Sequence, residues 1–234
     1  MPTTTEGFAK RLELLRAAIA EQGHRVQNIL EAAFEAAFAK DPAKAALVQA
    51  QDDVIDRVDV EVEKAAVALL TDATHENAKL DASQLREVLT IVKINNELER
   101  IADAAVDIAE RAESLKMNNG QIPETFRVMA NSVVGILRDA TQSYNRSDAR
   151  LAKVVLQSED AVEAFMVAIV KDAERQIASG KMTVDFAFCL HQIANECCSV
   201  ADHCTNISEQ VIYSVTGAIV RHLEGGWVEV PRSA

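Results

Sequence analysis

The chain has 234 residues and a formal charge of −12, with 49% hydrophobic but only 4% aromatic residues. This acidic balance excludes a nucleic-acid-binding surface, which needs a basic patch to displace counterions from phosphates. No apolar run reaches the roughly 18 to 20 residues that span a bilayer, and the start MPTTTEGFAKRLELL lacks the apolar core of a signal peptide. These two observations lead us to expect a cytoplasmic protein. Because glycine and proline are scarce, we also expect long helices.

Chain breakers divide the sequence into six predicted helices. They cover approximately residues 6–40, 43–71, 82–117, 124–143, 149–178 and 183–224. MNNGQIP (117–123) is the strongest interruption, so we predict one domain over residues 1–118 and a second over 119–234. The last helix is expected to stop at Gly225-Gly226. In the tail that follows, Trp227 either docks on a bundle or marks a partner contact.

The two halves of the chain repeat each other. The third and sixth predicted helices align without gaps at an offset of 99 residues, and the second and fifth align at an offset of 107. The repeated unit is therefore three helices long. Since such a unit is too small to be comfortably stable alone, we expect the halves to pack against each other.

Each repeat carries acidic residues four apart on two successive helices. In the first repeat the pairs Asp52/Asp56 and Glu99/Asp103 are symmetric about the polar stretch 71–81. If this stretch is the turn of an antiparallel hairpin, the two pairs face each other at one height. One such pair alone is typical of a solvated helix face, but facing pairs indicate a metal site.

The second repeat has the same arrangement around Gly180 and Lys181. Glu159 and Glu163 on one helix are expected to face the corresponding positions of the next helix, Cys198 and Asp202. Carboxylates favour Mg, Mn or Ca, and iron when several oxygens bridge ions. A thiolate shifts the preference toward Zn or Fe. Cys198 is either a ligand or a small filler, whereas the other three cysteines, Cys189, Cys197 and Cys204, are expected to be buried.

Two segments carry a resemblance to a known family. LERIADAAVDIAE (98–110) and ADHCTNISEQVIYSVTGAIVRH (201–222) resemble the twice-repeated LERIxDHxxNIAE motif of the PhoU family of phosphate-uptake regulators. The resemblance covers nearly all of residues 8–224. It implies an all-α fold of two tandem antiparallel three-helix bundles with pseudo-twofold symmetry, and acidic motifs that bind metal clusters.

The chain departs from the family pattern at several motif positions. The family's first His and Asn are replaced here by Ala104 and Asp107, which makes the first site richer in carboxylates. In the second motif His203 and Asn206 are kept, and we expect them to support the ligands rather than bind metal directly. Arg100 is expected to pair with a neighbouring acid on its own helix and to balance the first cluster. The predicted ligands are Asp52, Asp56, Glu99, Asp103, Asp107, Glu159, Glu163, Cys198 and Asp202.

The resemblance also implies a function and partners. A PhoU-like protein is a non-enzymatic adaptor that couples a phosphate ABC transporter to a phosphate-sensing histidine kinase and represses the phosphate-starvation response. The family is often dimeric, so a homodimer is expected, and membrane contact is expected only through partners. An accessory role for a low-affinity phosphate permease is the alternative within the family.

A di-iron carboxylate enzyme is the remaining alternative. That chemistry needs two Glu-x-x-His ligand sets projecting into a bundle core. The sequence has one such spacing, Glu21 to His24, without a second copy. The acidic positions are also expected on the surface rather than in the interior. The sequence therefore favours the adaptor.

Overall fold

The computed structural model describes residues 5–118, 120–223 and 226–230. Helices form most of this part of the chain. They are α1 (Thr5–Ala39), α2 (Pro42–His75), α3 (Ala82–Asn118), α4 (Glu124–Asn145), α5 (Ala149–Leu156), α6 (Glu159–Ala178) and α7 (Val184–Thr216). A short antiparallel hairpin follows, made of β1 (Ile219–Leu223) and β2 (Gly226–Val230). The predicted all-α class is confirmed. None of the described helices is both long and apolar enough to cross a membrane.

The predicted breakers mark most of the helix ends. Asp41 caps α2 by accepting hydrogen bonds from the backbone amides of Ala43 and Lys44, and Asp148 caps α5 in the same way. α2 and α3 are joined by the turn 76–81, and α6 and α7 by 179–183. Both hairpins predicted from the acidic pairs are therefore present.

The second half differs from the prediction in two places. The fifth predicted helix is broken between α5 and α6, where the backbone amide of Ser158 bonds the carbonyl of Val155 in a tight turn. The sixth predicted helix ends at Thr216 rather than near residue 224, because Gly217 adopts a left-handed conformation with φ of 70°. The chain then forms the hairpin. The backbone of Trp227 lies in β2, but its side chain is outside the described part of the structure.

The two acidic-motif helices α3 and α7 pack against each other at the centre of the molecule. They run antiparallel, since Glu97 near the middle of α3 contacts His203, while Arg111 further along α3 contacts Cys189 at the start of α7. α1 and α2 complete one three-helix unit on α3, and α4 to α6 complete the other on α7. The domain boundary at residues 118 and 119 stays a prediction.

The core between these helices is aliphatic and includes the cysteines predicted to be buried. Ile101 and Ala105 of α3, and Val200 and Ile207 of α7, are at most 1% exposed. Cys189, Cys197 and Cys204 are buried without a disulfide, as predicted, and Cys198 is half-buried. The shared core holds both acidic motifs in a fixed relation to each other.

A close contact at Gly120 fixes the connection between the two units. A Cβ added to Gly120 would lie 2.5 Å from the Cδ1 atom of Phe186, whose ring is fully buried. The Lys40 side chain donates to the Gly120 carbonyl and lies 5.3 Å from the centre of the same ring. The connecting segment is therefore packed tightly against α7.

Gly120→Ala is expected to lower the free energy of unfolding by roughly 1–3 kcal/mol, because the added methyl group forces the Phe186 ring to move. Gly135→Ala in α4 is the control, since its added Cβ meets nothing closer than 3.8 Å. That change should raise stability by roughly 0.5–1 kcal/mol. Urea unfolding of both variants measures the difference, and equal stability would contradict the tight contact.

Candidate metal sites

The first acidic cluster lies between α2 and α3. Asp52 and Asp56 are one turn apart on α2, and Glu99 and Asp103 are one turn apart on α3. The α2–α3 turn at 76–81 brings these two helix segments side by side, so that carboxylates about 50 positions apart in the chain influence each other. Asp56 and Asp103 are exposed and Glu99 is half-buried. The α2–α3 hairpin therefore brings these four predicted carboxylates into one region of the molecule.

Asp52 is the most constrained member of this cluster. Its side chain is only 5% exposed, and its Oδ1 atom is buried without a hydrogen-bond partner. Burial, followed by the charges of Asp56, Asp103 and Asp53, raises the pKa of Asp52 from 3.8 to about 6. Our expectation of a purely surface cluster is wrong at this position, because the packing of α2 covers Asp52. A buried carboxylate oxygen without a donor fits a bound cation.

The remaining carboxylates extend the negative charge of this cluster along α3. Burial and the charges of Asp56 and Asp107 raise the pKa of Asp103. Burial and the charge of Asp103 raise the pKa of Glu99, while the adjacent Arg100 lowers it. All five predicted ligands of the first site thus lie in one region. Arg100 acts on Glu99 alone among these groups, and its wider role stays a prediction.

A further acidic pair lies on α2, Asp59 and Glu63, and was not predicted from the sequence. Burial and the charges of Glu63 and Asp56 raise the pKa of Asp59. Asn95 of α3 is 1% exposed and donates through Nδ2 to the Asp59 carboxylate at 2.7 Å. The signal was available in the sequence, because Asp59 and Glu63 have the same four-residue spacing as the predicted pairs.

The second acidic cluster is more open than the first. Glu159 is half-buried in the first turn of α6, and Glu163 is exposed one turn later. On α7, Cys198 is half-buried and Asp202 is exposed. Burial and the charges of Glu163 and Glu159 raise the pKa of the Cys198 thiol. This thiol therefore favours its protonated form unless a cation offsets the neighbouring carboxylates.

His203 and Asn206 point toward the other half of the molecule. His203 Nδ1 lies 2.7 Å from the Oε2 atom of Glu97, and Asn206 Nδ2 donates to the same atom at 3.3 Å. Glu97 in turn lines a cavity together with Glu159 and Asp202 of the second cluster. Asn206 also lines this cavity and so lies beside the second cluster, whereas His203 contacts Glu97, a residue that was not predicted from the sequence.

The described residues, 5–118, 120–223 and 226–230, contain no group of three or more His, Cys, Asp or Glu residues arranged to hold a metal ion. The carboxylates of each cluster are near one another without forming a closed ligand set. The ligand roles therefore stay predictions. The observation that favours the first site is the buried, unpartnered oxygen of Asp52.

These features define the class of protein. The chain is a tandem helical-bundle protein with two related units, the second of which has its middle helix divided into α5 and α6, and each unit presents paired acidic residues from two antiparallel helices. The family follows from comparison with known proteins. The chain belongs to the PhoU domain family, whose model matches residues 19–112 and again residues 126–211.

Curated relatives align along nearly the whole chain. A protein of Thermotoga maritima named phosphate-specific transport system accessory protein PhoU homolog 1 is 28% identical over 215 residues, covering 90% of this chain and 89% of the relative. The phosphate-specific transport system accessory protein PhoU of Serratia marcescens is 26% identical over 227 residues, covering 95% and 90%. The similarity thus extends over both repeats.

Two solved structures share the fold. The crystal structure of PhoU from Pseudomonas aeruginosa matches with a TM-score of 0.82 and 25% identity, covering 90% of this chain and 99% of that one. The phosphate transport system regulatory protein PhoU from Streptococcus pneumoniae also has a TM-score of 0.82, at 23% identity, and covers 92% and 99%. The tandem arrangement of bundles is therefore that of the family.

Asp52→Asn is expected to raise the free energy of unfolding at pH 7.5 by roughly 1–2 kcal/mol in the presence of a chelator. The folded protein holds a proton on Asp52 up to about pH 6, whereas the unfolded chain loses it near pH 3.8. The native protein should therefore lose stability relative to the variant as pH rises through this window. Urea unfolding at several pH values measures the effect.

Asp53→Asn is the matched control for this prediction. It removes the same charge from the neighbouring position, but Asp53 is exposed. Its effect on stability should be clearly smaller than that of Asp52→Asn, because desolvation is the largest cause of the Asp52 shift. Equal effects of the two variants would show that burial of Asp52 is not what costs stability.

Proposed function

We propose that the chain is a metal-binding helical adaptor that regulates phosphate uptake and phosphate homeostasis. The observation that carries this proposal is the match of both repeats to the PhoU domain. Relatives named as accessory proteins of phosphate-specific transport systems align over about nine-tenths of this chain and of their own length. The adaptor couples a phosphate ABC transporter to a phosphate-sensing histidine kinase and keeps the phosphate-starvation response repressed.

The packing of the two halves on each other supports an adaptor role. α3 and α7 share one core, so a surface on one half keeps its position relative to a surface on the other. A protein with this architecture is suited to holding two partners at a fixed distance and orientation. The adaptor works in the cytoplasm as a homodimer, and it meets the membrane only through its partners.

The acidic clusters give the scaffold two sites for cations. In the first site, Asp52, Asp56, Glu99, Asp103 and Asp107 would hold Mg, Mn, Fe or Zn, which supplies the positive charge that offsets their mutual repulsion. Asp52 anchors this set from the buried side of α2. Asp56, Asp103 and Asp107 face solvent, where they remain accessible to groups on a partner protein.

The positions of Glu21 and His24 support a regulator rather than a di-iron enzyme. Both residues are exposed on α1, and Glu21 pairs with Arg25 at 3.3 Å. They do not project into the bundle core, as the ligands of a di-iron carboxylate enzyme do. The adaptor is therefore proposed to be non-enzymatic.

Deletion of the gene is expected to switch on phosphate-starvation genes in phosphate-rich medium, because the kinase then loses its repressing partner. A transcriptional reporter for a starvation gene measures this. A second deletion that removes the kinase should restore low expression. The intact gene, supplied on a plasmid in the single mutant, is the control.

A reporter that stays silent in the single deletion would contradict kinase coupling. If phosphate uptake through a low-affinity permease changes in the same strain, the accessory role for a permease becomes the better explanation. The two outcomes are separated by measuring radiolabelled phosphate uptake together with reporter expression.

Replacement of both Asp52 and Asp103 by Ala should remove the metal bound at the first site, because each of the two facing helices then loses one carboxylate. Elemental analysis of protein purified without chelator or nickel affinity resin measures the stoichiometry. Glu113→Ala with Asp185→Ala is the matched control, since it removes two exposed carboxylates that belong to neither cluster.

Unchanged metal content in the Asp52 and Asp103 variant would reject the assignment of the first site. An iron-loaded native protein is expected to show no sustained peroxide turnover in air. Sustained turnover that disappears in the double variant would instead favour the di-iron enzyme.

A further inference from the structure

A polar cavity of about 380 Å³ opens where the two halves and the terminal hairpin meet. Its walls come from α3, α6, α7 and β1. Four carboxylates line it: Glu97, Glu159, Asp202 and Glu209. Only two of these, Glu159 and Asp202, belong to the second acidic cluster. The cavity is therefore larger than the predicted metal site and includes a side chain from the first half of the chain.

Arg221 is the one cationic side chain among the described residues that line this cavity. It lies in β1 and donates through Nη1 to the Oε2 atom of Glu209, and also to the carbonyl of Val220 at 3.2 Å. Glu209 is only 6% exposed, whereas the Arg221 side chain is 45% exposed. The hairpin thus brings a positive charge to a buried carboxylate of α7.

Gln210 is a second, independent observation that indicates ligand binding in this cavity. Its side chain is only 8% exposed, lines the cavity, and has no hydrogen-bond partner among the described residues. Buried amide groups in folded proteins are normally hydrogen-bonded. The unused carboxamide of Gln210 can supply an oxygen to a cation or to a water bound to that cation.

We propose that Arg221 is a tethered cation that competes with a divalent metal ion for this cavity. Metal binding to the second acidic cluster then weakens the contact between Arg221 of β1 and Glu209, and that contact weakens metal binding. The inference rests on the proposed function, because Glu159 and Asp202 are the predicted ligands. It adds a regulatory role for the terminal hairpin.

The competition follows from charge. A metal ion placed among Glu159, Asp202 and Gln210 is repelled by the guanidinium in the same cavity, and it competes with that group for the negative field of Glu209. The Glu209 carboxylate is buried, so its attraction for either cation is screened less than an attraction between exposed charges. The coupling is reciprocal, so a metal ion must weaken the docking of Arg221 by the same factor that Arg221 weakens metal binding.

The test is calorimetric titration of Mn²⁺ into chelator-treated full-length protein. Asp52→Asn and Asp103→Asn are introduced first, so that the second site is observed alone. In this background Arg221→Gln should bind Mn²⁺ about tenfold more tightly, because one repelling charge is lost. Arg221→Lys keeps the charge and should bind as the parent does. Arg138→Gln, which removes an exposed arginine paired with Asp139 on α4, is the control and should also match the parent.

Arg221→Gln leaves the buried Glu209 without its partner and can lower stability. A variant with both Arg221→Gln and Glu209→Gln removes the pair together and has the same net charge as the parent. Its Mn²⁺ affinity should lie near that of the parent. Urea unfolding establishes that each variant is folded before the titration.

Equal or weaker binding by Arg221→Gln, in folded protein, would overturn the proposal. The same holds if no variant binds Mn²⁺ at the second site. Failure of the proposed function gives a different pattern, because the native protein then binds no metal at the first site either. Tighter binding by both Arg221→Gln and Arg221→Lys would show that the bulk of Arg221, and not its charge, obstructs the cavity.

Discussion

The antiparallel packing of α3 against α7 is the constraint on which the rest of the molecule depends. Each of these helices carries one copy of the acidic motif and forms the wall on which the other helices of its unit pack. Their contact includes a buried aliphatic core, and Glu97 and His203 form a polar link between them, 2.7 Å apart. The two candidate metal sites therefore lie on the outer sides of one shared core.

The two repeats differ in the chemistry of equivalent positions. Glu97 and Glu196 occupy equivalent positions in α3 and α7, and each faces the other helix. Glu97 meets His203 and Asn206, whereas burial and the charge of Asp107 raise the pKa of Glu196 and Arg111 lowers it. The two halves have thus diverged at this interface.

The sequence predicted those features that depend on local signals. Breakers placed the first four helices, and the symmetric spacing of the acidic pairs placed both hairpin turns. The break before Ser158 was missed because no glycine or proline marks it, and the end of α7 was missed because Gly217 lies inside an otherwise apolar run. The burial of Asp52 depends on how whole helices pack, and no local pattern contains that information.

The buried thiols of α7 have one further consequence. Burial raises the pKa of Cys197 and Cys204, and that of Cys189, whose Sγ atom donates to the carbonyl of Arg111 on α3. Alkylating reagents and oxidants attack the thiolate, so all three sulfurs are protected while α7 stays in place. Their chemical labelling therefore reports the separation of the two halves of the molecule on a timescale of seconds to hours.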